Sequence, residues 1–165
     1  MFVQIVDYLN INNLYHPNHH GFRAQHNTVT TMIQMYDVWA EIMEQGEMTA
    51  AMMIDLSAAF DMVDHNLLLE KLSILGFKPD AHDWIRSYLS NRFQRVFVDG
   101  HLSDQLAVEV GVPQGSILGP LLYILFTNDL PEVVHEGCGA GSHMQCMECG
   151  GICSYADDST YTFLI

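Results

Sequence analysis

Apolar residues recur along this chain at two spacings, helical in some stretches and alternating in others, and together they divide it into elements. Met1 to Asn10 suits one short helix, and the polar run Asn12 to Asn27, with a proline and histidines such as His19-His20, reads as a solvated loop. From Thr28 to Gln45 the residues Val29, Met32, Ile33, Tyr36, Trp39, Ile42 and Met43 fall at helical spacing, and Gly46 supplies the stop. Met48 to Ile54 is a short apolar run ending on Asp55, which suits a buried strand. A leucine-rich helix follows over Leu67 to Leu75, opened near Asp64 and Asn66 and closed by Gly76. Pro79 and Asp80 open a further helix through Ser90, with Trp84, Ile85, Tyr88 and Leu89 on its apolar side.

Phe93 to Val98 alternates as a strand does, Asp99-Gly100 is a strong turn signal, and Leu106 to Val110 is the returning partner. After Gly111 to Gly115 a helix is predicted over Ser116 to Thr127. Pro120 is tolerable there because first-turn amides have no intrahelical partner. A loop rich in glycine and cysteine spans Gly137 to Gly151. The chain then reads as a hairpin, Ile152 to Ala156 and Thr160 to Leu164, with two aspartates at its tip. Helices and strands in this mixed order predict an α+β domain with a mainly antiparallel sheet.

Composition changes that picture in three ways. The 165 residues, 49% hydrophobic and 16% charged, suffice for one domain with a core. No stretch approaches the roughly 18 apolar residues of a membrane span, and Met1 to Asn13 carries no basic residue, so neither a span nor a secretory signal is read. Twenty acids against six bases give a formal charge of -14, whereas a nucleic-acid binder is usually basic. Cys138, Cys146, Cys149 and Cys153 cluster within one short segment rather than spreading as a disulfide framework would, which points to a reducing, intracellular compartment. Their spacings match no common zinc finger, so free cysteines are the expected reading and structural zinc the alternative.

The acids are the candidate chemistry. Asp157 and Asp158 stand side by side, where carboxylates repel each other and a plain turn would use glycine or asparagine. A divalent cation removes the conflict, because Mg²⁺ takes oxygen ligands, commonly one or two carboxylates plus substrate phosphate. Asp55 ends the earlier strand. Were those strands neighbours, the three acids could hold two metals ~4 Å apart, the spacing used for in-line phosphoryl displacement. A solvated turn is the plain alternative for the dipeptide alone.

Three segments occur in fixed order: Asp55-Leu56-Ser57-Ala58-Ala59-Phe60-Asp61, Gly111-Val112-Pro113-Gln114-Gly115-Ser116-Ile117-Leu118-Gly119-Pro120, and Tyr155-Ala156-Asp157-Asp158. This series resembles the signature motifs of reverse transcriptases, and its wording is similar to the non-LTR retrotransposon branch. Trp84 to Leu89, Arg92 to Val96, Asn128 to Pro131, and Gly21-Phe22-Arg23 with Thr30-Thr31 fit the same resemblance.

The resemblance implies residues 1–20 as an N-terminal segment and 21–165 as a partial reverse transcriptase domain. That domain would be a polymerase palm-like antiparallel sheet packed on helices, with a remnant of the fingers and without the thumb. It implies RNA-directed DNA polymerase activity, with an RNA template, a DNA primer and deoxynucleoside triphosphates as partners. Asp55, Asp157 and Asp158 would be the catalytic carboxylates holding two Mg²⁺ ions (Mn²⁺ serving in their place), with the backbone of Leu56 adding an oxygen. Phe60 would be a steric gate against the 2′-hydroxyl. Gln114 and Gly115 would sit against nucleotide and template, and Tyr155 near the primer end. Arg23 is open between a phosphate contact and a solvated side chain, and Asp61 and Asp64 are helix-start residues, which acids favour. The acidic charge predicts weak nucleic-acid binding. A catalytically inactive remnant of such an enzyme is the alternative.

Overall fold

The structure is a computed structural model that describes residues 1–130, 152–155 and 158–164. Its elements are helices and small antiparallel sheets, an α+β arrangement, in two compact units. One unit comprises residues 1–57 and 127–165; the other is the intervening segment 58–126. Among the described residues, no helix is long and apolar enough to cross a membrane.

The first unit holds α1 (Phe2–Ile11), α2 (Thr28–Glu44) and β1 (Thr49–Asp55). Two later strands belong to it and are labelled β6 (Ile152–Tyr155) and β7 (Asp158–Leu164), because four strands of the second unit precede them. The sheet order is β1-β7-β6, antiparallel throughout. The hairpin expected at the C-terminal end therefore forms, and β7 starts at Asp158, two residues earlier than the alternation suggested. The cysteines Cys138, Cys146 and Cys149 lie outside the described residues, while Cys153 pairs across β6–β7 with Thr160.

A capping box fixes the start of α2. The Asn27 side chain accepts from Thr30 N at 2.9 Å, and Thr30 Oγ1 accepts from Asn27 N at 3.0 Å. The apolar stripe predicted on this helix is real, but it faces outward: Val29, Met32, Ile33, Tyr36 and Met43 are 55 to 68% exposed. Thr31 and Ile42, three turns apart on one line, are its buried residues. Ile42, at one margin of the predicted stripe, thus turns inward with Thr31 while most of the stripe faces out, and α2 lies against β1 and β6.

The loop before α2 differs from the solvated segment that its histidines suggested. His19 and His20 are buried. Arg23 Nη1 donates to the carbonyls of His16 (3.1 Å) and His19 (2.7 Å), and the guanidinium stacks over the Tyr15 ring. Asn128 holds the other side, accepting from His16 N and donating to Leu14 O, both at 2.9 Å. Arg23 is therefore a brace for this loop rather than a solvated side chain.

Burial, then the charges of Arg23, His20 and His16, lowers the His19 pKa to about 4. Its ring nitrogens have no hydrogen-bond partner among the described residues. A folded-state value below the ordinary 6.5 favours the neutral ring. The associated stability is complete above pH 6.5 and is lost as pH falls from there toward 4. Across that window the loss is about 3 kcal/mol from this group, read as a falling urea midpoint. His19→Gln should flatten that slope, and a midpoint equally pH-dependent in the variant would contradict the assignment.

The second unit begins with a 3₁₀ turn (Ala59–Met62), then α3 (His65–Ile74) and α4 (Pro79–Leu89). Asp64 caps α3 by accepting from Leu67 N at 2.9 Å, as its helix-start reading required. Gly76, with φ +80°, ends α3 while Phe77 N reaches back to Leu72 O at 3.1 Å. α3 and α4 pack on each other, with Leu68, Leu69, Leu72, Ile85 and Leu89 buried.

The hairpin expected from Phe93 to Val110 is broken into two short ladders. β2 (Arg92–Gln94) pairs with β5 (Leu106–Val108), and β3 (Phe97–Val98) pairs with β4 (His101–Leu102) around the Asp99-Gly100 turn. Gln94 opposes Leu106 while Phe97 opposes Leu102, so the returning limb has one extra residue, a bulge. Ser103 fills it: its Oγ accepts from Val96 N at 2.9 Å, and its N donates to Val96 O at 2.9 Å.

α5 (Leu118–Thr127) closes the unit, with Leu121 to Leu125 buried. It starts two residues later than predicted, because Ser116 is used outside it. Ser116 Oγ donates to Pro113 O at 2.7 Å and accepts from Gly119 N at 2.9 Å. From α3, Lys71 Nζ donates to Phe126 O at 2.6 Å near the C-terminal end of α5, where carbonyls lack helical partners.

Candidate active site

In the first unit the candidate residues converge along one row. Asp55 is the last residue of β1, Asp158 the first of β7 and Tyr155 the last of β6. Asp55 pairs with Asp158, and Asp158 with Tyr155, so all three stand level across one end of the sheet. Asp157 and Ala156, between the paired ends of β6 and β7, lie outside the described residues. Asp55 is exposed, and Leu56, which follows it, is 37% exposed. Among the described residues no three histidine, cysteine or carboxylate side chains gather as a metal site.

The second unit arranges its own candidates around a tight turn. Ala58 is left-handed (φ +53°), a conformation that costs an alanine about 1–2 kcal/mol. It accepts from the amides of Asp61 (2.9 Å) and Met62 (3.1 Å). This turn sets Phe60 half-buried, its ring 4.5 Å from that of the buried Tyr123. Phe60 O accepts from Val112 N, and Val63 O from Gly111 N, each at 2.8 Å. The segments around Phe60 and Gln114 are thus stitched together by backbone.

Two residues that sequence reasoning passed over take part. Asp61 accepts from Gln114 Nε2 with both carboxylate oxygens at 3.0 Å. It sits in the first turn of the 3₁₀ segment, as its helix-start reading allowed, and gains this second role. His65 Nε2 donates to Gly111 O at 2.8 Å, which places the ring proton on that nitrogen when the ring is neutral. Spacing alone could not reveal either contact, because their partners lie 53 and 46 residues away.

The glycines divide by function. Gly111 (φ +86°) lies against the Asp61 backbone, where a Cβ would come within 2.8 Å of the carbonyl oxygen. At Gly119 a Cβ would come within 2.5 Å of Pro113 O. At Gly115 (φ +77°) it would meet no described residue beyond its chain neighbours within 4 Å, so this exposed glycine serves the turn. Close backbone approach within the protein occurs at Gly111 and Gly119.

Charge is unevenly divided. Residues 1–57 and 127–165 contain twelve of the acids and one base, Arg23, whereas residues 58–126 contain eight acids and five bases.

The family model described as "Reverse transcriptase (RNA-dependent DNA polymerase)" matches residues 2–163. The chain belongs to the reverse transcriptase family. Similar curated proteins are polymerases of mobile elements, in keeping with the non-LTR retrotransposon branch. The RNA-directed DNA polymerase from mobile element jockey of Drosophila melanogaster is 40% identical over 67% of this chain and 12% of its own length. Its counterpart in Drosophila funebris is 36% identical over 84% of this chain and 14% of that protein. The probable RNA-directed DNA polymerase from transposon BS of Drosophila melanogaster is 36% identical over 86% and 15%. This reverse transcriptase chain therefore spans about an eighth to a seventh of the length of these relatives. Among solved structures, telomerase from Candida albicans superposes with a TM-score of 0.67 at 12% identity, covering 99% of this chain and 30% of that one. At that identity the likeness speaks for the fold.

Proposed function

We propose that this chain is the palm, with part of the fingers, of an RNA-directed DNA polymerase that extends a DNA primer on an RNA template. Residues 21–165 would form this partial domain and residues 1–20 an N-terminal segment. The observation that carries the reading is the row Asp55, Asp158 and Tyr155 across one sheet end. Like charges directly opposite on antiparallel strands destabilise a sheet. Their retention at one edge fits a pair built to share a cation. Asp55, Asp157 and Asp158, with the Leu56 carbonyl, would hold two Mg²⁺ or Mn²⁺ ions, hard cations that take oxygen ligands. Such ions make the primer 3′-hydroxyl a better nucleophile and neutralise charge on the phosphates.

Family membership and the surroundings of the other residues support the roles proposed for them. Phe60, its ring held against Tyr123, would exclude a 2′-hydroxyl from the sugar of the incoming deoxynucleoside triphosphate. Gln114, fixed by Asp61, and Gly115, with open space beside it, would face nucleotide and template. Tyr155 would pack by the primer end. The acidic first unit supports weak binding of primer and template, since phosphate contacts supply much of such affinity.

Primer extension on poly(rA)/oligo(dT) with dTTP and Mg²⁺ or Mn²⁺ tests the reading. Metal-dependent incorporation supports it, while its absence at high protein concentration leaves the inactive remnant. In an active preparation Phe60→Val is expected to raise ribonucleotide use relative to deoxynucleotide by roughly tenfold or more, the scale of a lost steric contact. Unchanged sugar selectivity would count against the gate.

A further inference from the structure

Of the six basic residues, Lys71 braces a helix end, Arg95 bonds Gln105 in the hairpin, Lys78 stands at the N-cap position of α4 without a side-chain cap, and Arg23 braces the first unit. The remaining two, Arg86 and Arg92, line one cavity of about 470 Å³ in the second unit. The chain places them there by a sharp turn. α4 ends at Leu89, Asn91 takes the left-handed conformation (φ +54°), and β2 begins at Arg92. Arg86, from the last turn of α4, and Arg92 thereby reach the same space.

Among the described residues neither guanidinium makes an ion pair or a side-chain hydrogen bond, although the unit contains eight acids. Arg92 Nη1 is buried and has no hydrogen-bond partner among the described residues. A guanidinium has only donors, and a buried donor without an acceptor is expensive to keep. The missing complement must be an acceptor, and a charged oxyanion satisfies two arginines best. Glu109, also in the lining, is exposed and opposes an anion, which favours a singly charged ligand group over a dianion. A volume of this order admits a nucleotide unit rather than a bare ion. The ring of Phe93, 59% exposed and in the same wall, offers a surface on which a base can stack. His65, another lining residue, is bonded to Gly111 and so links the cavity to the segment that contains Gln114.

We infer that this cavity receives the phosphodiester of a single nucleic-acid strand, with Arg86 and Arg92 on the phosphate and Phe93 against a base. The inference deepens the polymerase reading by naming a strand contact, yet it can be tested without catalysis. Binding is measured by fluorescence polarisation of a labelled short oligo(dT) and oligo(rU), in EDTA at low ionic strength. The variants are Arg92→Gln, Arg86→Gln and, as a control away from the cavity, Arg95→Gln.

Each cavity variant is expected to weaken oligonucleotide binding about tenfold and to lower the salt dependence by about one phosphate contact. Arg95→Gln should stay within about twofold of the unaltered chain. Thymidine monophosphate and inorganic phosphate serve as competitors. Displacement by either at concentrations comparable to the oligonucleotide would show that the cavity takes a free phosphate and overturn the strand assignment. Equal affinity in the Arg92 and Arg86 variants, equal loss in Arg95→Gln, or no binding at all would overturn the site. Arg86 is exposed, so its variant tests the cavity even if Arg92→Gln fails to fold. Binding is read without metal, so absence of primer extension in Mg²⁺ with binding intact would count against the polymerase reading alone.

Discussion

Asp55→Asn is expected to lower metal-dependent nucleotide incorporation by at least about a hundredfold, since losing even an outer partner of a metal ligand costs 10–100-fold. Asparagine keeps the shape and removes the charge. The residue ends β1 in an exposed position, so the strand and its pairing with β7 should survive. Stability should move in two directions. Without divalent ions the variant loses a like-charge pair with Asp158 and should gain about 0.2–1 kcal/mol. With Mn²⁺ present the unaltered chain should rise in melting temperature through mass action and the variant should not. Incorporation within tenfold of the unaltered chain, or an equal Mn²⁺ shift in both, would remove Asp55 from the site.

Gly111→Ala should destabilise the second unit by about 2–5 kcal/mol, combining the strain of a positive φ with overpacking. The added Cβ would lie 2.8 Å from Asp61 O and 2.9 Å from Asp61 Cα, backbone that cannot rotate aside. The neighbouring Gly115→Ala separates the two causes. It has a similar φ and open space, so only the strain remains, about 1–2 kcal/mol. Urea denaturation of both variants reads the difference. Equal losses would mean that contact with Asp61 contributes little.

Much of this fold was legible because its signals are local. Gly46 and Gly76 stop helices, Pro79 starts one, and Asp99-Gly100 turns a hairpin, each through its own backbone preference. The apolar run of β1 set Asp55 at a strand end and the C-terminal hairpin set Asp158 at its tip, and only pairing could bring them level. Periodicity says that a helix has an apolar stripe and not which way the stripe faces, and α2 faces most of it outward, with Ile42 turned in. Composition suggested that a histidine-rich loop is solvated, but Arg23 from within it and Asn128 from afar close it around His19. The bulge at Ser103 is similarly silent in sequence, because alternation continues through it. Of the candidate site, Asp157 lies outside the described residues, and the Asp61–Gln114 pair came from tertiary structure alone.

That pair has a consequence for what Gln114 can recognise. A primary amide normally offers a donor and an acceptor and can exchange them by a half-turn about its last bond. A carboxylate accepts only, so Asp61 holds the NH₂ end and fixes the rotamer. The carbonyl end is then the face left for a partner, and a complementary group there has to present an N–H or O–H. Asp61 in this way gives a symmetric-looking side chain a polarity, with the carbonyl turned to groups that donate and one N–H left beside the carboxylate.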